Sequence, residues 1–325
     1  MFSLLDKCLY VAALDLWIDS MRERESCYVS HGHSDHAREH ATIVCTPNTA
    51  RICRERFRRY GTGIVERFEE HDFNEPWDAG GHRLTLFSAG HVLGSSQLLI
   101  ESEAGRFVYT GDFKLAHSAT AEPPEVKRCD VLLMECTFGR PRYAFPPREQ
   151  VADEMIGFAL EALCARATPV FHAYTLGKAQ EAIAILGGAG LPLTVHGAIH
   201  DMTQVYEACG VALPSYERYD ARAHPPGAVI WPPGCPLPPA LAGRPVRTAI
   251  LTGWSLDRSA TYRYRVDRGF TLSDHADYPA LLRYVELAQP QKVLLTHGQR
   301  DFAYRLRASG VDARYLEAYE QLAMF

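Results

Sequence analysis

The sequence predicts a layered α/β fold that carries a second α/β lobe as an insertion. Its 325 residues are enough to bury a substantial core, and a chain of this length commonly forms two lobes. Up to about Tyr143, short apolar strands alternate with turns. Helical periodicity and Pro-rich segments follow, and buried-strand patterns resume near Thr248. We therefore assign residues 1–145 and 248–325 to an outer domain and residues 146–247 to an inserted domain.

Hydrophobic patterning predicts the individual elements. Short apolar runs predict strands, which are, in chain order, Ser26–Ser30, Leu84–Phe87, Gln97–Ile100, Phe107–Thr110, Val131–Met134, Pro169–Tyr174, Ala249–Leu251 and Lys292–Leu295. Apolar residues at helical spacing predict a helix over Arg148–Arg166 and another from Gly177 through Leu186. Ala37–His40 is expected to open a further helix. Pro225–Pro245 lacks regular periodicity and predicts a loop and linker.

Composition indicates a globular cytoplasmic protein. Hydrophobic residues make up 47% of the chain and charged residues 22%, which argues against disorder. The nine cysteines form no CxxC pair, so reduced thiols are expected rather than disulfides. Met1–Ser20 lacks the basic and apolar regions of a signal peptide, and no apolar run reaches transmembrane length, so we expect no membrane association.

The net charge of −5 excludes a uniformly basic surface for nucleic acid but permits a local basic groove. Two groups of arginines are candidates for such a groove. A solvated helix face is an equally good interpretation of the first group, whereas the second precedes a candidate catalytic motif, which favours substrate contact. The groups are Arg51, Arg54, Arg56, Arg58 and Arg59, and then Arg258, Arg263, Arg265 and Arg268.

The hexapeptide from His31 to His36, HGHSDH, places three imidazoles and a carboxylate within six positions. Neutral His and ionised Asp are ligands for Zn²⁺ and similar divalent ions. Alternate residues of an extended segment share a face, so His31 and His33 are expected to point the same way. Asp35 and His36 would then point toward a second position next to the first. The segment predicts half of two adjacent metal sites, and the alternative is a fortuitous His-rich tract.

The hexapeptide resembles the HxHxDH signature of the metallo-β-lactamase superfamily. That resemblance implies further ligands, and the chain supplies a candidate for each. His91 follows a strand as part of a Gly-His pair, and Asp112 follows the next strand as the expected bridging carboxylate. Asp19 is the expected early Asp, although Asp15 lies close by. Taken singly, each of these residues has a structural alternative as a core His, a turn residue or a helix cap.

Later segments resemble the motifs of the β-CASP nucleases of that superfamily. LLMECTFG is similar to their acidic motif A, with the acid at Glu135. LSDHAD is similar to motif B, with its His at His275, and VLLTHG to motif C, with its His at His297. Tyr174–Gln180 resembles a segment of their cap domain. The resemblance covers nearly the whole chain and implies an αββα metallo-β-lactamase sandwich with an inserted α/β β-CASP cap.

Four segments are similar to the bacterial ligase-associated DNA exonucleases, which are encoded near an ATP-dependent DNA ligase and a helicase: Thr252–Trp254, Val266–Phe270, Ser273–Asp277 and Val195–Ala198. The resemblance implies a 5′→3′ exonuclease that prefers 5′-phosphorylated, single-stranded or resected DNA ends and acts in DNA repair. DNA, the ligase and the helicase are the implied partners. His297 favours the alternative, an RNA-processing nuclease, because His at motif C is typical of that branch.

The resemblance also implies roles. Two divalent ions, Zn²⁺ or alternatively Mn²⁺, would be bound by His31, His33 and His91 and by Asp35, His36 and His297, with Asp112 bridging. A metal-activated hydroxide would attack phosphorus, with the catalytic residues being His275, Glu135, Asp19 and Asp35. His275 would protonate the leaving oxygen while Glu135 orients its ring, and Asp19 would orient His36 or the water. The structural alternatives are a helix cap for His275 and a strand-end charge for Glu135.

Substrate contacts are expected from Lys178, which follows Gly177 at a predicted helix N-terminus and suits a phosphate. Trp254 is a candidate for base stacking, with a core position as its alternative. The full expected set is Lys178, Thr175, Ser95, Ser96, Trp254 and Ser273. A small-molecule hydrolase is disfavoured by the inserted cap and the Glu135/His275 pair. A non-catalytic scaffold is disfavoured because every ligand sought is present.

Overall fold

The computed structural model describes residues 2–5, 8–316 and 321–322. The chain divides into two compact units, Met1–Pro141 with His275–Phe325, and Arg142–Asp274. The insertion therefore ends at Asp274, later than the predicted boundary at Arg247. The reason is that the strands at Val246–Leu251 and Arg268–Phe270 pair within the sheet of the inserted unit.

The first unit contains two mixed sheets within the described residues. The first sheet has the order β20-β1-β2-β3-β4-β5-β6. Its strands are β1 Phe2–Leu5, β2 Cys8–Val11, β3 Leu16–Ile18, β4 Ser26–Tyr28, β5 Thr42–Cys45, β6 Arg67–Glu70 and β20 Gln321–Leu322. The β3, β4, β5 and β6 strands run parallel, so the loops that follow β3 and β4 lie at the same edge.

The second sheet has the order β19-β18-β11-β10-β9-β8-β7. Its strands are β7 Trp77–Ala79, β8 His82–Ser88, β9 Ser96–Ser102, β10 Gly105–Tyr109, β11 Val131–Cys136, β18 Lys292–Gly298 and β19 Ala313–Tyr315. The β10, β11 and β18 strands are parallel, and β9 runs antiparallel to both β8 and β10. The carboxyl ends of β8, β10, β11 and β18 therefore meet at one edge of this sheet.

The two sheets pack face to face with helices outside them. Ile18 and Tyr28 of the first sheet pack against Leu86, Phe107 and Leu133 of the second. Outside the second sheet lie α6 Tyr278–Ala288 and α7 Asp301–Ala308, and outside the first lies α1 Pro47–Tyr60. Full burial of a Leu, Ile or Phe side chain contributes about 1.5–3 kcal/mol to the free energy of folding. Burial of these side chains between the layers therefore keeps the two sheets, and the loops at their edges, in place.

The inserted unit is a parallel sheet covered by helices. Its order is β14-β13-β15-β12-β16-β17, with β12 Thr168–His172, β13 Leu193–Val195, β14 Glu217–Arg218, β15 Ala228–Trp231, β16 Val246–Leu251 and β17 Arg268–Phe270. Its helices are α2 Arg148–Cys164, α3 Lys178–Gly188, α4 Gly197–Ala208 and α5 Ala260–Tyr264. Phe158 of α2 and Ile183 of α3 pack against Phe171 and Ile230 of the sheet. Within the described segments, no helix combines the length and apolar character needed to cross a membrane.

Two predicted elements differ from the structure. Ala37–His40 does not open a helix, because the Glu39 carboxylate accepts the N–H groups of Thr62 and Gly63 and the His40 ring accepts the N–H of Arg24. The chain becomes helical only at α1, where Thr46 caps the first turn. Pro225–Pro245 is not wholly loop, because its short apolar run forms β15 between β13 and β12.

Tyr284 joins α6 to the second sheet through one buried side chain. Its hydroxyl donates to Gln97 Oε1 at 2.6 Å, while Gln97 Nε2 donates to the carbonyls of Ser88 and Glu125. Tyr284→Phe leaves the buried Gln97 oxygen without a donor, so we expect a loss of about 1–3 kcal/mol in the free energy of unfolding. Urea denaturation followed by circular dichroism measures it. Tyr304→Phe, at an exposed position of α7, is the control, and equal stability of the two variants would contradict the expectation.

Candidate metal centre

The histidines and acids of the predicted site follow strands whose carboxyl ends share an edge. In the first sheet, Asp19 follows β3 and the hexapeptide follows β4. In the second sheet, His91 follows β8 and Asp112 follows β10. The two edges are joined beside the hexapeptide, because the N–H of Ser96 donates to the carbonyl of Ser30 at 2.9 Å.

The Asp112 carboxylate lies at the centre of this cluster. Its Oδ2 is 3.4 Å from His36 Nε2 and 3.7 Å from His31 Nε2. The same oxygen is 3.9 Å from both His91 Nε2 and His275 Nδ1. Burial by itself raises the pKa of Asp112, but the charges of His36 and His275 outweigh this and hold the pKa well below its usual range. Asp112 is therefore an anion surrounded by imidazoles.

His31, His33 and His91 form the predicted first ligand group. One ring nitrogen from each lies within 4.8 Å of the others. His33 Nδ1 is 3.0 Å from His91 Nε2. Burial, followed by the nearby His36, lowers the pKa of His31 well below its ordinary value, so this ring is neutral and has a lone pair to donate.

The donor set fits divalent cations. Nε2 of His31 and Nε2 of His36 are buried, and neither has a hydrogen-bond partner among the residues described. A buried polar nitrogen without a partner is costly unless something coordinates it. Imidazole nitrogens around one carboxylate are ligands that suit Zn²⁺ and related ions.

The second ligand group is only partly assembled. His36 Nδ1 is 2.8 Å from Asp19 Oδ2, which leaves Nε2 facing Asp112. The His297 ring centroid is 5.2 Å from that of His36. Asp35 is exposed in the turn of the hexapeptide and belongs to none of the close donor groups found in the described chain. Its assignment as a ligand and catalytic residue stays a prediction.

Asp19 is held by several donors. Its Oδ1 accepts the N–H of Ser30 at 2.7 Å, and its Oδ2 accepts the hydroxyls of Ser30 and Tyr109 at 2.6 and 2.8 Å. Asp19 itself adopts a left-handed backbone conformation, with φ of +44°. This carboxylate therefore fixes the His36 ring, which is the orienting role expected from the sequence. Asp15, the other early acid, bonds instead to Tyr10 at 2.6 Å.

Glu135 and His275 form a hydrogen-bonded pair. His275 Nδ1 lies 3.0 and 3.1 Å from the two carboxylate oxygens of Glu135. Glu135 is buried and also accepts the N–H of Phe113 at 2.9 Å, whereas the His275 side chain retains 22% exposure. The pair therefore presents a partly accessible imidazole, oriented by a buried carboxylate, beside Asp112. His91, Asp112 and His275 also form a close donor group, so the geometry alone permits His275 to be a ligand.

Thr137 links this pair to His297. Its hydroxyl donates to Glu135 Oε2 and lies 3.3 Å from the carbonyl oxygen of His297. His297 has φ of +45°, and Gly298 follows it with φ of +152°. A Cβ at Gly298 would lie 2.1 Å from the Cys136 backbone, so only glycine fits there.

Two expected substrate contacts in the first unit are structural instead. Ser95 and Ser96 are buried. The Ser95 hydroxyl accepts the N–H groups of His91 and Val92, which fixes the loop that carries the His91 ligand. The Ser96 hydroxyl lies 2.9 Å from that of Tyr28. Neither serine is available to substrate, so both expectations were wrong.

Of the four substrate contacts expected in the inserted unit, two are buried and two are half-buried. Lys178 is buried, and its Nζ forms an ion pair with Asp274, so it is not an available phosphate ligand in this structure. Ser273 is also buried. Thr175 is half-buried, and its carbonyl accepts Gln180 Nε2 at 3.1 Å. Trp254 is half-buried against Tyr143, with ring centroids 5.3 Å apart. The roles of Thr175 and Trp254 stay predictions.

Sequence reasoning missed the roles of Ser30, Tyr109 and Thr137, and it named Arg56 only as a candidate for a basic groove. Ser30 and Tyr109 bind Asp19, Thr137 binds Glu135, and Arg56 Nη1 donates to the carbonyl of Gly32 inside the hexapeptide. The first three lie within three positions of a predicted site residue, and that proximity was the available signal. Arg56 gave no comparable signal, because it lies on a helix 24 positions away from Gly32.

Two known domain families match the chain. Residues 19–194, more than half of the sequence, match the family described as the beta-lactamase superfamily domain. This stretch begins at Asp19 and includes the hexapeptide. Residues 263–319 match the family described as the Zn-dependent metallo-hydrolase RNA specificity domain, a stretch that contains His275 and His297.

Several curated proteins are similar to this chain. A probable DNA ligase of Opitutus terrae is 40% identical over 97% of this chain and 31% of its own length. RNase aCSPSF2 of Saccharolobus solfataricus is 23% identical over 54% of this chain and 41% of its own length. An RNase J-like protein of Methanocaldococcus jannaschii is 24% identical over 56% of this chain and 49% of its own length. The chain thus spans only 31% to 49% of these relatives.

A solved structure supports the fold. A protein of unknown function from Enterococcus faecalis has a TM-score of 0.62 and 16% identity, with 91% of this chain and 80% of that chain covered. Together with the αββα layers and the inserted parallel sheet, this confirms the fold class predicted from the sequence. The chain belongs to the metal-dependent β-CASP nuclease family of the metallo-β-lactamase superfamily.

Proposed function

We propose that this chain is a 5′→3′ exonuclease that acts on single-stranded or resected DNA ends, with preference for a 5′-phosphate. The observation that carries the proposal is the Glu135–His275 pair beside the Asp112 cluster, 3.9 Å from carboxylate to imidazole. The choice of DNA is supported by the 40% identity with a probable DNA ligase, which extends over 97% of this chain.

The proposed ligands are two sets that share Asp112. His31, His33 and His91 would hold one cation, and the other would be held by Asp35, His36 and His297. We propose Zn²⁺, with Mn²⁺ as the alternative. When bound, two such cations neutralise charge on a phosphate and lower the pKa of a water to produce the nucleophile.

His275 is the proposed general acid. Departure of a deoxyribose oxygen requires a proton, and His275 is exposed enough to deliver it. Glu135 on Nδ1 stabilises the protonated imidazole and leaves Nε2–H as the donor toward the leaving group. Thr137 and the Phe113 N–H fix the carboxylate in turn. Asp19 acts one step further away by orienting His36.

RNA is the second candidate substrate, and a specific observation favours it. The match to an RNA specificity domain covers both His275 and His297, and two relatives carry ribonuclease names. We propose a DNA ligase as a functional partner, because the Opitutus relative bears that name over a longer chain. A helicase partner rests on the resemblance alone. A cytoplasmic location is supported by the nine free cysteines.

A cleavage assay distinguishes the two substrates. Matched single-stranded DNA and RNA, each with a 5′-phosphate or a 5′-hydroxyl, are incubated with the Zn²⁺- or Mn²⁺-loaded protein. We expect mononucleotides to be released from the 5′ end of DNA, faster with the 5′-phosphate. Cleavage of RNA alone would establish the second candidate instead, and release from the 3′ end would overturn the polarity.

The role of His275 is tested with two leaving groups. His275→Ala is expected to slow DNA hydrolysis by about 10²–10⁴-fold, because the leaving oxygen loses its proton donor. Hydrolysis of the p-nitrophenyl ester of thymidine 5′-phosphate should change far less, since p-nitrophenolate departs without protonation. Equal losses on both substrates, accompanied by loss of metal, would instead make His275 a metal ligand.

Asp112 is expected to determine metal content. Asp112→Asn replaces the carboxylate that lies nearest to His31, His36, His91 and His275 together by a neutral amide, so the variant should retain less than half of the wild-type metal. Elemental analysis of the purified protein measures the metal per chain. Asp78→Asn, at an exposed position of the edge strand β7, is the matched control. Equal metal in the two variants would contradict the assignment of Asp112.

A further inference from the structure

A cavity of about 540 Å³ opens beside the hexapeptide within the first unit. Three segments line it: residues 21–23 before β4, residues in the 34–39 stretch, and residues in the 56–64 stretch at the end of α1. Its volume lies within the range of roughly 300–1,000 Å³ found for small-ligand sites. Of the residues that line it, only Arg56 was among the candidates for nucleic-acid contact predicted from the sequence, as a member of the first group of arginines.

The walls carry an excess of positive charge. Arg22, Arg38 and Arg56 line the cavity together with Glu23 and Glu39. The Glu39 carboxylate accepts the N–H groups of Thr62 and Gly63, and this joins two of the segments that line the cavity. Arg38 is exposed, and in the described part of the chain it makes no ion pair. Guanidinium groups in a concave surface are the usual ligands of phosphate.

The cavity also has an aromatic rim. Tyr60 at the end of α1 is 80% exposed, and Met21 on the opposite segment is 42% exposed. Phe57 lies half-buried between the polar groups. Exposed aromatic rings beside a basic groove are the arrangement on which unpaired bases stack. A duplex offers no such face, because its bases are already stacked on one another.

The wall of the cavity is continuous with the candidate metal centre. Arg56 Nη1 donates to the carbonyl of Gly32, which lies between the ligands His31 and His33. Ser34 and Ala37 belong both to the cavity and to the turn of the hexapeptide, where the N–H of Ala37 donates to the carbonyl of His33 at 2.8 Å. The cavity therefore shares a wall with the backbone that carries His31 and His33.

The neighbouring arginines of α1 do not share this role. Arg54 pairs with Glu70, and Arg58 and Arg59 pair with Glu55 on the helix surface. They form the solvated helix face that was one interpretation of the first arginine group. Arg56, unlike Arg54, Arg58 and Arg59, turns toward the hexapeptide.

We infer that this cavity binds one nucleotide of a single-stranded substrate, with Arg22 and Arg38 on its phosphate and Tyr60 on its base. The inference rests on the proposed nuclease function and adds a specific binding subsite to it. Binding here would hold the strand in register with the metal cluster without touching the reacting phosphate.

The test measures binding separately from hydrolysis. A 3′-fluorescein oligothymidylate with phosphorothioate linkages is titrated with the metal-loaded protein, and fluorescence anisotropy gives Kd at several salt concentrations. Arg38→Glu is expected to weaken binding about tenfold and to reduce the slope of log Kd against log salt by about 0.7, the value for one lost phosphate contact on a single strand. Tyr60→Ala is expected to weaken binding at every salt concentration with little change of slope.

Matched controls lie on the opposite helices of the same unit. Arg283→Glu on α6 and Tyr304→Ala on α7 change exposed residues of the same kinds and should leave Kd within twofold of wild type. The two control variants should also hydrolyse the p-nitrophenyl ester of thymidine 5′-phosphate at the wild-type rate, because neither residue lies at the cavity or at the metal cluster.

The outcomes separate the cavity from the function. If the wild type binds and cleaves strands while Arg38→Glu and Tyr60→Ala bind as tightly as the controls, the cavity inference fails and the nuclease proposal stands. If the wild type neither binds nor cleaves DNA or RNA, the proposed function fails, and the inference falls with it.

Discussion

The arrangement of this protein depends on the burial of the Asp112 carboxylate among imidazoles. A carboxylate that is only 5% exposed would be strongly destabilised without compensating charge. His36 and His275 supply that charge from 3.4 and 3.9 Å, and the rings of His31 and His91 lie beside the carboxylate at 3.7 and 3.9 Å. Because His31 and His36 follow β4 of the first sheet whereas His91 follows β8 of the second, the carboxylate can be satisfied only when both sheets are correctly aligned. The packing of the two sheets and the charge balance around Asp112 therefore depend on each other.

Around that centre, two of the candidate ligands have supports of their own. Asp19 holds His36 and is itself held by Ser30 and Tyr109. Ser95 fixes the loop of His91 through two backbone N–H groups. Supports of this kind fix the tautomer and orientation of a metal-binding ring. Some are local in sequence, such as Ser95 to His91, whereas Tyr109 and Asp19 are 90 positions apart. Together they keep the donor atoms of the site close to one another.

That His31, His91 and Asp112 come together could be predicted from the sequence, because each follows the end of a strand. What could not be predicted depended on tertiary packing. The exposure of Asp35, the ion pair of Lys178 with Asp274 and the burial of Ser95 and Ser96 have no local signal. The end of the insertion was misplaced for a related reason: an apolar run at residues 249–251 reads as a buried strand, but its pattern does not reveal which sheet it joins.

The order of segments along the chain has a consequence for the protein during its synthesis. Glu135 and His275 are 140 positions apart, and the whole inserted unit lies between them. At roughly 5–20 residues per second, a ribosome needs about 7–28 seconds to pass from one to the other. During that interval the nascent chain has the hexapeptide, His91 and Asp112, but neither His275 nor His297. The proposed nuclease is thus without its acid until the inserted unit has been translated, a delay that follows from the order of the segments along the chain.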